Sequence, residues 1–214
     1  MSRLRARCPD CRANTAVELD GDYQCHACGR EFGAGLVRVA RAWGAGGHEM
    51  EEASLMEVPW PEAAVVDEDT LESQNATLAA VLPERPLVLG GCCCAHVGAV
   101  RELARRHGRL AVVWLDAHGD LNTPWSSVTG NAWGMPLRML IDAGDVDPED
   151  VTLLGARALD PPEEEFIAEA RIRREELERL LASLRRPTGA GFSGLVPSDR
   201  NEAVLARLGH ALGL

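Results

Sequence analysis

The sequence contains no lysine, no long apolar run and no apolar segment of the kind found in a signal peptide. All 22 of its basic residues are arginine, a bias that by itself indicates no chemistry. No apolar run approaches the roughly 20 residues that cross a membrane, so no membrane partner is expected. The chain starts MSRLRARCPDC, which lacks the apolar core of a secretion signal. These absences favour a cytoplasmic protein.

The charge of the chain is negative overall and unevenly spread. The net formal charge is −11 at pH 7, whereas residues 1–41 carry seven arginines against five acidic residues. An acidic surface repels a phosphate backbone, so a nucleic acid is not expected as a partner. With 46% apolar and 26% charged residues, a chain of 214 residues is typical of one globular α/β domain with a small appendage.

Two pairs of cysteines near the start of the chain have the spacing of a zinc site. Each pair has the form CxxC, and 13 residues separate the two pairs, which are Cys8, Cys11, Cys25 and Cys28. This spacing is typical of a tetrahedral four-cysteine site with a structural Zn²⁺, while two disulfides or four free thiols are the alternatives. The turn residues Asp20 and Gly21 between the pairs predict a hairpin. We therefore predict a zinc-ribbon-like segment over residues 1–33, in which His26 is a bystander.

A second candidate site follows the unbroken apolar run from Leu110 to Leu115. The run predicts a strand buried on both faces, as in a parallel sheet. Asp116, His118 and Asp120 come next, at the strand end where ligands bind in α/β sheets. If the backbone stays extended there, alternation points all three side chains to one side. Two carboxylates and an imidazole suit Mn²⁺, Fe²⁺ or Zn²⁺; a capping Asp, an exposed His and a turn Asp are the alternative.

A strand–helix–strand pattern brings further polar residues to the same expected edge. Pro86 to Gly91 is a short apolar strand that runs into glycines, and helical spacing follows up to Gly108. Such crossovers are right-handed and leave the two strands parallel. We therefore expect Cys93 and His96 at the edge that carries the carboxylates.

Four motifs lie in order within residues 86–170. PLVLGGCCCAHVGAV is similar to a Gly-Gly-Asp-His-Ser strand end, and DAHGD matches Asp-Ala-His-x-Asp. LNTP with TGNAWGMPL is similar to the segments Asn-Thr-Pro and Ser-Gly-Asn-x-His-Gly-x-Pro, and LLGARALDP to Gly-x-Arg-x-x-Asp-Pro. Together they resemble the arginase, agmatinase and formiminoglutamase family, the ureohydrolases. The resemblance implies a three-layer α/β/α sandwich with a parallel sheet, in a reduced form, over residues 34–214.

The resemblance also implies a metal-dependent hydrolase of C–N bonds in linear amidines and guanidino compounds. Such enzymes hold two Mn²⁺ ions that share a hydroxide, which attacks the amidine carbon. By carry-over, the metal ligands are Asp116, His118 and Asp120. Asp120 and His118 are the catalytic residues, and Asp120 moves the proton to the leaving amine. The residues expected near the small guanidino or amidine substrate are Asn122, Thr129, Asn131 and Asp160. Ureohydrolases are commonly oligomers, so a homo-oligomer is expected.

The sequence departs from the family's pattern at three places. Cys93 stands at the family's first His ligand, and a thiolate favours Zn²⁺ or Fe²⁺ over Mn²⁺; His96, one turn on, is the substitute ligand. Trp133 stands at the His of the Gly-Asn-x-His segment. The strand Asp-x-Asp-x-x-Asp-Pro, which supplies carboxylates to both metals in the family, is not found. We therefore expect weak or no ureohydrolase activity.

The missing strand predicts an internal deletion near residues 171–175. There, the apolar face of a helical pattern running from Glu163 to Arg186 is interrupted at Arg173. If two helices are joined at this point, one unbroken helix spans residues 162–185, and a strand within residues 171–178 would contradict it. The alternative function is a non-catalytic binding or regulatory protein, in which a zinc ribbon and a degenerate arginase-like domain act through protein contacts.

Overall fold

The computed structural model describes residues 5–175, 188–195 and 197–213. Contacts divide the chain into two units. The first holds Met1–Ala42, Gly46–Ala99 and Arg186–Leu214, and the second holds Trp43–Ala45 and Val100–Arg185. Among the described residues, no helix is both long and apolar enough to cross a membrane.

The strands and helices of the described chain follow one another in this order: β1 (Ala16–Leu19), β2 (Asp22–Cys25), β3 (Glu31–Phe32), β4 (Gly35–Val39), α1 (His48–Ala53), β5 (Glu62–Val65), α2 (Leu71–Val81), β6 (Pro86–Gly90), α3 (Val97–His107), β7 (Val112–Leu115), α4 (Pro136–Asp142), β8 (Val151–Leu154), α5 (Pro161–Glu169), β9 (Arg173–Glu175), β10 (Ala190–Phe192) and α6 (Asn201–Ala211).

In the first unit, a small antiparallel sheet contains β1, β2 and β3. The predicted hairpin is present, since β1 pairs with β2 through a two-residue turn. Asp20 and Gly21 both take left-handed backbone angles there, with φ of 52° and 85°. A two-residue turn of this kind matches the twist of the flanking strands, and Asp-Gly is one of its preferred sequences.

The same unit contains a four-stranded parallel sheet in the order β10-β6-β4-β5. All residues of the central strands β4 and β6 are buried, which explains why both are apolar along most of their length. On one face a core cluster joins β4 and β6 to a tryptophan and to α6, and its larger members are Leu36, Trp60, Leu87, Leu89 and Leu205.

The helices between these strands begin and end where local signals place them. The hydroxyl of Thr70 accepts a hydrogen bond from the backbone N–H of Ser73 and caps α2, which ends before Pro83. At its far end α3 stops at Gly108, whose φ of 78° suits glycine. The start and end of α2 and the end of α3 therefore coincide with residue types that favour a helix boundary.

The second unit contains a three-stranded parallel sheet in the order β7-β8-β9. The prediction that the run from Leu110 forms a strand buried on both faces is wrong. The strand β7 starts at Val112, and Val113 and Leu115 are 38% and 56% exposed, whereas Trp114 between them is buried. Successive side chains of a strand point to opposite faces, so the face of β7 that carries Trp114 is buried and the face that carries Val113 and Leu115 is exposed.

The strands of the predicted β6-α3-β7 unit are not hydrogen-bonded to each other in the described part of the chain. Within the described residues β6 pairs with β4 and β10, while β7 pairs with β8, and the two strands belong to different units. A periodic sequence identifies strands and helices but carries no information on which strands share hydrogen bonds.

The prediction of one unbroken helix over residues 162–185 is also wrong. The helix α5 ends at Glu169, Arg171 takes a left-handed φ of 56°, and Ile172 is buried. The strand β9 follows and pairs in parallel with β8, with Thr152 opposite Arg173. The interrupted helical pattern therefore marks a helix-to-strand turn, not a join of two helices. The remainder of that predicted helix, residues 176–187, lies outside the described residues, and the deletion itself stays a prediction.

Candidate metal centre

The backbone bends directly after β7, and this bend brings Asp116 and His118 into contact. The Asp116 carboxylate oxygen Oδ1 accepts a hydrogen bond from the backbone N–H of His118 at 2.9 Å and one from its imidazole Nδ1 at 3.1 Å. The His118 side chain is 65% exposed. An imidazole held through Nδ1 keeps Nε2 for a metal ion. The backbone after the strand is therefore bent, so the condition under which simple alternation would align the three side chains is not met.

Asp120 has the opposite environment. Its residue is 3% exposed, and its carboxylate oxygen Oδ2 accepts a hydrogen bond from the indole Nε1 of Trp114 at 3.2 Å. The backbone of Asp120 is left-handed, with φ of 52°, a conformation that Asp tolerates better than most residues. The three predicted ligands thus follow one another within a single turn of chain, and one carboxylate oxygen of Asp116 lies within 4.8 Å of one of Asp120.

A buried glutamate that the sequence reading missed supports this turn. The two carboxylate oxygens of Glu163 accept hydrogen bonds from the backbone N–H groups of Leu121 at 2.9 Å and Asp160 at 3.0 Å. Glu163 is 2% exposed, and a Cβ at Gly119 would lie only 3.0 Å from its carboxylate oxygen Oε1. The signal was available, because Asp160 and Glu163 form a capping box at the start of α5.

The structure joins Asn122 and Asp160, two of the residues predicted to face the substrate. The amide nitrogen of Asn122 donates to Asp160 Oδ2 at 2.8 Å, and its oxygen accepts from the hydroxyl of Ser126 at 2.8 Å. Asn122 is buried and Asp160 half-buried. The amide orients the carboxylate, so the two side chains form one polar unit.

The other two predicted substrate residues stabilise a loop of the second unit. The hydroxyl of Thr129 accepts from the backbone N–H of Asn131 at 3.2 Å, and the Asn131 side-chain oxygen accepts from the N–H of Ala45 at 2.8 Å. Trp133 packs so closely on Gly44 that a Cβ there would lie 2.5 Å from the indole ring. The side chain of Asn131 thus connects its loop to the backbone of Ala45.

Cys93 and His96 lie in the first unit, on a short 3₁₀ turn after β6. The imidazole Nε2 of His96 is 2.9 Å from the hydroxyl of Ser193, which also donates to the Cys93 sulfur at 3.6 Å. Ser193 follows β10, the neighbour of β6 in the sheet. Sequence reading did not single out this serine, because only the parallel pairing of β10 with β6 places it there.

The structure brings the four cysteines of the two CxxC pairs together. Their sulfur atoms all lie within 4.8 Å of one another, and all four are free thiols. Two of the distances cross between the pairs, with 3.8 Å from the sulfur of Cys8 to that of Cys28 and 3.6 Å from the sulfur of Cys11 to that of Cys25. A hydrogen bond from the Thr15 hydroxyl lowers the pKa of Cys25 to about 6. The cluster therefore has the donor atoms and the closeness of a metal site.

Comparison with known proteins places this geometry in context. A family model described as the arginase family matches residues 16–183. An arginase from Staphylococcus aureus (strain COL) is 42% identical over an alignment of 98 residues that covers 41% of this chain and 32% of the relative. An arginase from Bacillus subtilis (strain 168) is 32% identical over an alignment of 161 residues that covers 63% of this chain and 54% of the relative. The chain thus spans about a third to a half of the length of these curated relatives.

Solved structures show the same fold. The arginase from Bacillus caldovelox superimposes with a TM-score of 0.64 at 20% identity, over 84% of this chain and 98% of that chain. The arginase from Bacillus subtilis gives a TM-score of 0.55 at 22% identity, over 84% of this chain and 70% of that chain. At such identities the likeness concerns the fold alone, and it confirms the predicted arginase-like α/β fold with a parallel sheet.

Proposed function

The chain belongs to the arginase family, and from that premise we propose that it is a metal-dependent hydrolase of C–N bonds in linear amidines or guanidino compounds. One observation carries the proposal. The turn after β7 presents Asp116, His118 and Asp120 in succession, with the imidazole held by one carboxylate and the other carboxylate buried against Trp114.

The donor set of this turn fits a divalent cation. Two carboxylates and an imidazole are hard or borderline ligands, which suit Mn²⁺, Fe²⁺ and Zn²⁺. Burial of the Asp120 carboxylate favours a compensating positive charge at the same place. Asp116, His118 and Asp120 would hold the ion, with Mn²⁺ as the first choice from the family. Such an ion supplies Lewis-acid activation of water.

The remaining residues have separate roles in the proposed reaction. Trp114 holds Asp120 through Oδ2, and we assign to Oδ1 the acceptance of a proton from the attacking water and its delivery to the leaving amine. Asp160, oriented by the Asn122 amide, is assigned to the cationic end of the substrate. Thr129 and Asn131 are assigned to the loop that bounds the substrate, because both stabilise that loop.

Cys93 is the proposed further ligand, by its position in the motif that resembles the family's first metal-binding strand end. His96 is the alternative, and Ser193 orients both side chains. A thiolate ligand shifts the preference from Mn²⁺ toward Zn²⁺ or Fe²⁺. With Trp133 in place of a histidine and no second carboxylate strand in the sequence, we expect turnover to be slow.

The two substitutions just named favour a second candidate function. Cys93 and Trp133 replace a metal ligand and a proton carrier with side chains that are poorer in those roles. A non-catalytic binding or regulatory protein tolerates both replacements. In the catalytic case the partner is a small guanidino or amidine molecule, and a homo-oligomer is the proposed assembly by family likeness.

Product release from the purified chain separates the two candidates. The chain is incubated with Mn²⁺, Fe²⁺ or Zn²⁺ and with arginine, agmatine, guanidinobutyrate or formiminoglutamate, and urea or formamide is measured. We expect release with one of these substrates and its loss in Asp116→Asn. Asp142→Asn, an exposed change on α4 of the same unit, is the matched control. Absence of product under every condition favours the non-catalytic candidate, whereas full activity in Asp116→Asn overturns the assignment of Asp116 as a metal ligand.

A further inference from the structure

The four cysteines of the two CxxC pairs have the separations of a zinc tetrahedron. A Zn–S distance of about 2.3 Å places the sulfur atoms of a tetrahedral site about 3.8 Å apart. The separations from Cys11 to Cys25 and from Cys8 to Cys28, 3.6 Å and 3.8 Å, agree with that value. A disulfide needs about 2.05 Å instead, and it pairs atoms two at a time, whereas all four sulfurs here lie within 4.8 Å of one another.

Two of these cysteines lie inside an apolar cluster. Cys8 and Cys25 are fully buried and pack with Ala6, Ala16 and Tyr23. Thiolates without a counter-charge are costly in such surroundings, and a bound cation removes that cost. Cys11 and Cys28 are exposed, so the metal is reached from the solvent side.

The backbone next to the first cysteine connects the cluster to the edge of the parallel sheet. Arg7, which directly precedes Cys8, exchanges two backbone hydrogen bonds with Glu62 at the start of β5, at 3.0 and 3.1 Å. Ala6 exchanges two further bonds with Ala16 of β1, at 2.7 and 3.1 Å. The segment Ala6–Arg7 is therefore bonded to both sheets of the unit, and it ends at a cysteine of the cluster.

Side chains of the small sheet add contacts with the same parallel sheet. Arg85, just before β6, bonds Asp22 at 2.6 Å, and the backbone N–H of Glu84 donates to Glu18 at 2.9 Å. The ring of Tyr23 covers Gly35, where a Cβ would lie 2.5 Å from the ring. The small sheet thus packs on the start of β4 and on the chain before β6.

We propose that Cys8, Cys11, Cys25 and Cys28 bind one Zn²⁺ and that this ion stabilises the edge of the four-stranded sheet through Arg7 and Glu62. A ribbon of this size has too small a core to fold alone, so the metal supplies its folding energy. Because the ribbon's first segment pairs with β5, loss of the ion frees that edge. The site shares no ligand with the turn after β7, so it stands whether or not the hydrolase proposal holds.

Metal analysis of the whole chain tests the first half of this proposal. Wild type, Cys11→Ser, His26→Ala and Asp116→Asn are purified and their zinc is counted by mass spectrometry. Cys11 is exposed, so its replacement removes a ligand and little packing; His26 is an exposed neighbour in the second pair. We expect Cys11→Ser to contain about one zinc fewer per chain than wild type and His26→Ala. Equal zinc in Cys11→Ser and His26→Ala overturns the site.

Hydrogen exchange tests the second half. The backbone N–H of Glu62 donates to Arg7, so its exchange rate reports the pairing directly. We expect exchange at Glu62 to be about tenfold or more faster in Cys11→Ser than in His26→Ala, because local opening follows the loss of the metal. Cys11→His, which keeps a zinc-binding side chain, should restore slow exchange. Zinc loss without faster exchange at Glu62 overturns the coupling.

The two metal proposals fail independently. Asp116→Asn removes a ligand of the candidate hydrolase centre and leaves the cysteine cluster unchanged. Zinc that is lost in Asp116→Asn but kept in Cys11→Ser contradicts the cysteine site and supports the other. Zinc that is lost in Cys11→Ser but kept in Asp116→Asn supports the cysteine site.

Discussion

The indole Nε1 of Trp114 donates a hydrogen bond to the Asp120 carboxylate at 3.2 Å, and both side chains are buried. The bond connects the edge strand β7 with the turn that follows it, over six residues of chain. Asp120 has a left-handed backbone and a buried carboxylate, whereas the side chain of His118 in the same turn is 65% exposed. The proposed metal ligand is thus held by the strand from which the turn departs.

Replacement of Trp114 by phenylalanine should weaken metal binding. The change keeps an aromatic ring but removes the donor to a buried carboxylate, and such bonds to charged groups are worth about 1.5–3 kcal/mol. We expect the affinity for Mn²⁺, measured by titration calorimetry, to fall about tenfold or more. Trp125→Phe is the control, because Trp125 is 94% exposed. Equal affinities in the two variants would show that the indole bond does not position Asp120.

Glu163→Gln should destabilise the second unit. Glutamine keeps one acceptor oxygen and presents an NH2 group to the other backbone donor, at Leu121 or Asp160. A buried donor left without its acceptor costs about 1–3 kcal/mol. We expect a lower midpoint in urea unfolding followed by circular dichroism. Glu164→Gln, an exposed change in the same turn of α5, should match wild type, and a shared midpoint for both variants would refute the argument.

Acidification should remove stability that Glu102 provides. Hydrogen bonds from Arg105 and then Arg106 lower the pKa of Glu102 from 4.5 to about 2. A carboxyl whose pKa is depressed by folding contributes stability above its unfolded value, and that contribution disappears as the pH falls through the folded value. The window therefore lies between about pH 4.5 and about pH 2.

The measurement is the melting temperature across that window. Between about pH 4.5 and about pH 2, we expect the melting temperature of wild type to fall more than that of Glu102→Gln. The variant has no carboxylate at position 102 that could bind a proton in this range. Glu169→Gln, at an exposed position on α5, should follow the wild-type curve. Parallel curves for wild type and Glu102→Gln would exclude this role of the arginines.

Elements with local signals were predicted well. Asp20 and Gly21 form the predicted hairpin turn, and α3 ends at Gly108 as predicted. In each case a residue type fits one backbone state or one terminal hydrogen bond, so the signal needs no distant partner. The grouping of the four cysteines of the two CxxC pairs was also predicted from local sequence. The spacing within each pair already restricts where its two sulfur atoms lie.

Features that depend on neighbours along the sheet were missed. The apolar run at Leu110 indicates burial, but one face of β7 is left accessible to solvent, and Val113 and Leu115 lie on that face. The helical pattern after Glu163 predicts one long helix, but α5 ends at Glu169. Pairing with β8 stabilises a strand at Arg173–Glu175 where that helix was expected to continue. Strand pairing adds free energy that local periodicity does not contain.

The sequence by itself determined the family, the grouping of the cysteines of the two CxxC pairs, and the succession of Asp116, His118 and Asp120. Each of these depends only on residue identity and spacing. The tertiary structure decided that the Asp116 carboxylate bonds His118 while Trp114 and burial hold Asp120, and that Glu163 supports the turn from a distant helix. Those contacts join residues through a bend and a left-handed backbone angle, which short-range patterns do not specify. The direction of a side chain follows from its backbone conformation, and here packing selected that conformation.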